Sequence, residues 1–123
     1  MEMIEKFAEE NYVPIIRKDN IEYLEKFIKE KKLYNILELG SAIGYSAIRM
    51  ALVDENVKIT TIERDLKMVS EARKNIQDFG LIERINLIHD DIFNVELYDK
   101  FDLIFIDAAK AQYIKFFNKF KDN

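Results

Sequence analysis

The chain has 123 residues, of which 49% are hydrophobic and 34% charged, and its formal net charge is −4. That is enough chain for one domain with a core and too little for two. The acidic balance advertises no nucleic-acid footprint, and the lack of cysteine excludes a disulfide scaffold, a thiol nucleophile and a cysteine-held metal. The N-terminus, Met-Glu-Met-Ile-Glu-Lys, carries charges where a signal peptide needs an apolar run. No window reaches the apolar length of a membrane span, so a cytoplasmic protein is expected.

Residues 2–11 suit a short helix, which Val13-Pro14 interrupts because proline lacks an N–H and restricts its predecessor. Asp19 or Asn20 can cap a second helix, with Ile21, Leu24, Phe27 and Ile28 on one face. The run at 29–32 reads as its solvated end. The period then changes. Residues 35–39 form strand one, 45–53 a helix, and the β-branched stretch 57–63 strand two. Asp65 caps a helix over 66–79, and Gly80 stands where a left-handed C-cap would. Strand three covers 85–89, strand four 101–107, and a final helix about 111–120. Strands alternating with helices imply a parallel α/β sheet with right-handed crossovers, in the order three, two, one, four. Leu103, Ile104, Phe105 and Ile106 are apolar without alternation, the pattern of a strand covered on both faces. Placed last, strand four would leave an apolar edge unpaired, so the sheet reads as incomplete, holding strands one to four only. Two segments are expected: an N-terminal helical piece, 1–34, and a Rossmann-like domain, 35–123.

The stretch Ile-Leu-Glu-Leu-Gly-Ser-Ala-Ile-Gly-Tyr-Ser at 36–46 is the densest in information. A strand that ends in a glycine turn and opens a helix makes a concave seat, with backbone N–H groups expected to point outward unpaired. The spacing between Gly40 and Gly44 is Gly-x-x-x-Gly. It is not the Gly-x-Gly-x-x-Gly of nicotinamide dehydrogenases. Glu38, two residues before the turn, would repel a pyrophosphate and suits a cationic ligand, one with an amino group or a sulfonium. Ligands of open α/β sheets sit beyond the strands' carboxyl ends, and acids collect there: Glu38, Glu63, Asp90 with Asp91, and Asp107. Glu63 stands 23 residues after Gly40, close to the ~20-residue interval at which an acid grips ribose hydroxyls. One acid on a ribose and another near an amine describes a nucleoside with an amino-acid tail.

Glu-Leu-Gly-Ser-Ala-Ile-Gly-Tyr-Ser at 38–46, Thr-Ile-Glu-Arg-Asp at 61–65 and Phe-Ile-Asp-Ala-Ala-Lys at 105–110 carry a likeness. They resemble the class I S-adenosylmethionine-dependent methyltransferases, and more narrowly the divalent-metal-dependent O-methyltransferases of the catechol and caffeoyl-CoA type. The likeness extends to bacterial members that methylate 5-hydroxyuridine at the tRNA wobble position. It covers nearly the whole chain, including Val-Pro-Ile at 13–15.

The resemblance implies a Rossmann-like fold and metal-assisted O-methylation. Gly40, Ser41, Gly44 and Tyr45 would line the cofactor turn, and Ser46 would bond the cofactor's carboxylate. Glu38 would lie near its amino-acid end. Glu63 would take the ribose hydroxyls with Arg64 alongside, and Asp91 and Ile92 would meet the adenine. Asp107 would ligate magnesium and adjoin the cofactor, Lys110 would be the general base, and Ile15 would wall the cofactor. The family completes its metal site with an Asp-Asn pair after a fifth strand. Here Asp122-Asn123 follows helical residues directly, so the metal site is expected to be incomplete. His89 is expected to be structural or on the adenine side. Tyr113, Phe116, Phe117 and Phe120 form a stripe at helical spacing that reads as core packing; with strands missing, part of it would be exposed and favour association, and a homodimer is expected. The acceptor is expected to be the tRNA wobble hydroxyuridine, with a catechol-like small molecule as the alternative. A non-catalytic cofactor-binding unit is the second alternative.

Overall fold

The computed structural model describes residues 1–91, 94, 95, 100–108 and 111–116, with 107, 108 and 111–116 as backbone only. Helix α1 (Glu2–Glu10) buries Ile4 and Ala8, four residues apart on one face. Helix α2 (Lys18–Lys31) buries Ile21, Leu24 and Ile28. It begins earlier than its expected caps: Arg17 is the N-cap residue, and Asp19 lies inside the first turn, paired with Arg17 at 3.0 Å. An acid there still complements the helix dipole. The rest follows as β1 (Asn35–Leu39), α3 (Tyr45–Ala51), β2 (Lys58–Glu63), α4 (Leu66–Asp78), β3 (Ile85–His89), β4 (Leu103–Ala108) and β5 (Ala111–Phe116). The Asp65 carboxylate caps α4, accepting the N–H groups of Lys67 and Met68.

The sheet order is β3-β2-β1-β4-β5. The first four strands are parallel, in the order the alternating pattern implies. The fifth corrects two expectations. Residues 111–116 are a strand and not the start of a helix, pairing antiparallel with β4 from Leu103↔Phe116 to Ala108↔Ala111. The edge of β4 expected to be bare is therefore covered. An apolar strand with a row of unpaired N–H and C=O groups offers each residue beside it a ladder bond. Tyr113, Ile114 and Phe116 are strong strand formers, so pairing overrides the helical spacing. Residues 117 and 120 of the supposed stripe lie outside the described residues.

Side chains divide between the two faces of the sheet. One face carries Ile36, Ile59, Ile85, Leu87, Leu103 and Phe105, packed with buried residues of all four helices. The other holds a smaller cluster of Leu37, Ile62, Phe101 and Ile104. Helices were expected on both faces; among the described residues they pack on one. Asp102 joins the strand starts, accepting the N–H groups of Tyr34 and Asn35 at 3.1 and 3.0 Å and donating its own N–H to Asn35. Among the described residues no helix is long and apolar enough to cross a membrane.

Arg84 closes the far end of the helical layer. One guanidinium nitrogen reaches the carbonyls of Ala51, Asp54 and Val57 at 2.9, 3.0 and 3.1 Å, satisfying the C-terminus of α3 and the loop after it. Arg84→Met keeps the apolar stem and removes the donor those carbonyls share, leaving Asp54 with its bond from the Val57 N–H. Urea unfolding should show a loss of roughly 1–3 kcal/mol, and a change within about 0.5 kcal/mol, the ordinary range for a surface substitution, would rule the cap out.

Candidate functional site

The register levels the carboxyl ends of the strands. Leu39 pairs with Ile62 and with Ile106, and Glu63 pairs with His89. Gly40, Glu63, His89 and Asp107 therefore sit side by side where the chain leaves the sheet. The turn after β1 needs three residues in the left-handed region: Gly40 (φ 96°), Ala42 (φ 47°) and Gly44 (φ 87°). A Cβ on Gly44 would meet Ala72 of α4 at 3.4 Å, an ordinary contact, so it is the positive φ that calls for glycine there. Asn75, buried on α4, donates to the Ile43 carbonyl at 2.9 Å and pins the turn from behind.

Four of the turn's amides correct an expectation, because they are paired within the protein. Gly40 and Ser41 donate to the Ile62 carbonyl, Gly44 donates to the Ser41 carbonyl, and Ala42 donates to the Glu63 carboxylate at 2.8 Å. Through Gly40, Ser41 and Ala42 this turn is bonded to β2.

Glu38 has no exposure. One carboxyl oxygen accepts the Thr61 hydroxyl at 2.7 Å and the other accepts the Ser46 hydroxyl. With its one proton on Glu38, Thr61 accepts from Ser41, which is buried beside it. Glu38 thus lies beneath the turn and binds its walls together. Ser46 gives its single proton to Glu38 and so has none for a cofactor carboxylate in this arrangement, against the role the resemblance implied. Tyr45 is likewise turned inward. Its ring is in the core, and its hydroxyl donates to Glu5 at 2.6 Å and accepts from Arg49 at 2.9 Å.

Glu63 is the acid that faces outward. It is half-buried, and its oxygens accept the N–H groups of Ala42 at 2.8 Å and Asp65 at 3.1 Å. Each oxygen keeps an acceptor position for a further donor. It lines a cleft of about 340 Å³, within the range of small-molecule sites, between Gly40 and Ala42 on one side and Val13 and Pro14 on another, with Arg64 and Met68 completing the wall. The expected wall residue Ile15 packs against the core instead, one residue beyond the cleft. The Arg64 carbonyl accepts from His89 Nε2 at 3.1 Å, which makes His89 a brace for the Glu63–Asp65 turn. Asp90 donates its N–H to the Glu63 carbonyl, and Asp91 follows, half-buried. The backbone of Asp107 ends β4 next to Gly40. Ile92, Lys110, Asp122 and Asn123 lie outside the described residues. Among the described residues no three acids or histidines converge as a metal seat.

The sequence reading missed Thr61, Asn75, Val13 and Pro14 as parts of the site. Thr61 was findable: a carboxylate inside an apolar strand needs a donor, and the parallel neighbour of Glu38 is the hydroxyl-bearing Thr61.

A family model described as O-methyltransferase matches residues 1–122. The catechol O-methyltransferase of Niastella koreensis is 38% identical over 90 residues, 68% of this chain and 41% of that protein. A Staphylococcus aureus protein assigned to the caffeoyl-CoA O-methyltransferases has a structure that superimposes with a TM-score of 0.79 at 32% identity, covering 89% of this chain and 54% of that one. The O-methyltransferase of Bacillus cereus, solved with S-adenosylhomocysteine, gives 0.77 at 27% identity, covering 87% and 53%. The chain spans about half the length of the relatives it matches.

Two expectations follow from the geometry. Burial, then the hydrogen bond to Glu5, push the Tyr45 hydroxyl up from 10 to about 12. In the unfolded chain it ionises near its ordinary value, so its contribution to stability is whole below pH 10 and is lost as the pH rises toward 12. Of six tyrosines, the one removed by Tyr45→Phe should account for a late phenolate transition. The ultraviolet difference titration between the two proteins should centre near pH 12, and a midpoint near 10 would refute the buried contact. Gly44→Ala should cost about 1–2 kcal/mol for the left-handed backbone alone, measured by urea unfolding; a neutral change would mean the turn adopts another form. A glycine turn held by a buried acid, with a second acid facing the cleft, agrees with the match over nearly the full chain: this protein belongs to the O-methyltransferase family.

Proposed function

We propose that this chain is the cofactor-binding portion of an S-adenosylmethionine-dependent O-methyltransferase that acts on a small catechol-like hydroxyl. The observation that carries the reading is Glu63: a carboxylate fixed by two backbone N–H groups, lining a cleft beside the glycine turn, with acceptor positions still open. Two adjacent ribose hydroxyls are the donors such a carboxylate matches. Val13, Pro14 and Met68 give the cleft an apolar wall for the flat base or the thioether chain. The solved relative from Bacillus cereus holds S-adenosylhomocysteine, and the catechol enzyme from Niastella koreensis supports the acceptor class.

When bound, S-adenosylmethionine supplies a methyl carbon on a sulfonium, which an acceptor oxygen takes in line as the sulfur keeps the bonding pair. The protein's part is placement. Glu63 fixes the ribose, and the Glu38 cluster holds the turn and α3 against which the rest of the ligand lies. The acceptor's proton must pass to a base, the role the family resemblance gives to Lys110. A divalent cation at Asp107, a homodimer and a cytoplasmic setting remain part of the reading as expectations. The tRNA wobble hydroxyuridine gains no observation of its own, and a net charge of −4 does not favour it.

Calorimetric titration with S-adenosylhomocysteine, with and without magnesium, tests the reading. Binding is expected, and Glu63→Ala should weaken it by about tenfold or more, on the order of 1.4 kcal/mol. Equal binding by Glu63→Ala, or none by the wild type, would overturn it. Labelled methyl transfer to catechol against hypomodified tRNA then sorts the acceptors, and binding without transfer to either would make the chain a non-catalytic cofactor-binding unit.

A further inference from the structure

One wall of the cleft is a strap. Residues 11–17 join α1 to α2 and carry Val13 and Pro14 along the site. The strap is tied to α1 by hydrogen bonds. Asn11 donates both its N–H and its side-chain amide to the Phe7 carbonyl, and Val13 donates its N–H to the Ala8 carbonyl at 2.9 Å. Tyr12 turns the chain through φ 56°, a conformation that a bulky residue rarely takes. Where Pro14 stands therefore depends on where α1 stands.

Ile4 and Ala8 bury one face of α1, but apolar contact is non-directional and permits sliding. The directional contacts come from a polar cluster whose residues are not among those lining the cleft. Glu5 of α1 accepts from the Tyr45 hydroxyl at 2.6 Å. Arg49 donates to that same hydroxyl, and its guanidinium lies 5.7 Å from the centre of the Tyr45 ring. Its Nε and its other terminal nitrogen donate to both carboxylate oxygens of Glu25 on α2, at 2.7 and 2.8 Å. The helix before the strap and the helix after it thus each deliver a carboxylate to one Tyr–Arg pair. Tyr45 is also the first residue of the helix that the glycine turn opens. Bidentate, charge-assisted bonds fix geometry as well as energy.

We infer that Glu5, Tyr45, Arg49 and Glu25 form a positioning latch that fixes the strap against the glycine turn and so sets how tightly the cleft holds its nucleoside ligand. The inference rests on the proposed function, because it takes that cleft as the S-adenosylmethionine site. None of the four side chains need touch the ligand; they act through Val13 and Pro14.

Glu5→Ala cuts the tether on the α1 side, whereas Glu5→Gln leaves an acceptor for the Tyr45 hydroxyl. The chains are titrated with S-adenosylhomocysteine at a temperature where circular dichroism shows each folded. Glu5→Ala should bind at least about fivefold more weakly, the lower end of ordinary coupling between sites, and Glu5→Gln should stay within about twofold of the wild type. Hydrogen exchange at the Val13 amide should slow on ligand addition in the wild type, and not in Glu5→Ala. If Glu5→Ala does not fold, Arg49→Lys serves. It keeps the charge but loses the bidentate grip, and should weaken binding to the same extent. A lowered Tm with unchanged Kd makes the cluster merely structural and overturns the inference, as does unchanged exchange at Val13. A wild type that binds while the variants bind equally well overturns the latch alone. A wild type that does not bind overturns the proposed function and the latch together.

Discussion

A carboxyl group shut off from solvent lies beneath the glycine turn, and the geometry around it follows from keeping its oxygens bonded. Burying a carboxyl costs several kcal/mol unless hydrogen bonds replace the lost water. Glu38 draws its bonds from Thr61 on β2 and Ser46 on α3, and Thr61 draws from Ser41 in the turn. Each bond constrains a different element. The β1–β2 register must set Thr61 against Glu38. Helix α3 must begin at Tyr45 for Ser46 to lie within reach, which forces Gly44 into a conformation that glycine tolerates and other residues do not. A network of this kind is worth having only when every member is satisfied. Among the described residues no buried side-chain polar atom lacks a partner.

Glu38 and Glu63 form an instructive pair. Both are acids at the carboxyl ends of adjacent parallel strands. One is dry and holds the scaffold together; the other is half-exposed and is held by the scaffold, through the N–H groups of Ala42 and Asp65. The left-handed backbone of Ala42 belongs to this arrangement. The strain of a non-glycine residue at φ 47° is stored where the turn hands an N–H to the acid that faces the cleft. Environment, and not residue type, separates the two roles.

That separation marks where the sequence was legible. Hydrophobic period and strand-forming composition located β1 and β3 to the residue and β2 to within one, and placed the four parallel strands in their order. Gly40, Gly44 and Glu63 were readable because a turn, a positive φ and a strand-end acid each leave a local signature. Three things were not readable. Sequence gave Glu38 the ligand-facing role, since its burial depends on which hydroxyls the fold brings to it. The turn amides looked free, because their acceptors, the Ile62 carbonyl and Glu63, come from another strand. Residues 111–116 carry a helical spacing and a strand composition at once, and the open edge of β4 decides between them. Such a tertiary partner is invisible to a window of a dozen residues. Val13 and Pro14 were missed for the same reason: they reach the cleft only because α1 docks on α3.

The cleft is assembled from the strap, the turn after β1 and the turn after β2, so every residue lining it falls between positions 13 and 68. The groups that the family resemblance assigns to the acceptor, Asp107 and Lys110, come later in the sequence, at the end of β4 and after it. On that assignment, the residues that hold the cofactor and those that meet the acceptor lie in different parts of the chain, and the first depend on how rigidly one strap is held against one turn. The described lining of the cleft comes wholly from the strap, the two turns and the start of α4. The family can accordingly be read from the glycine turn and the two acids, which settle how a cofactor is seated before any acceptor is considered.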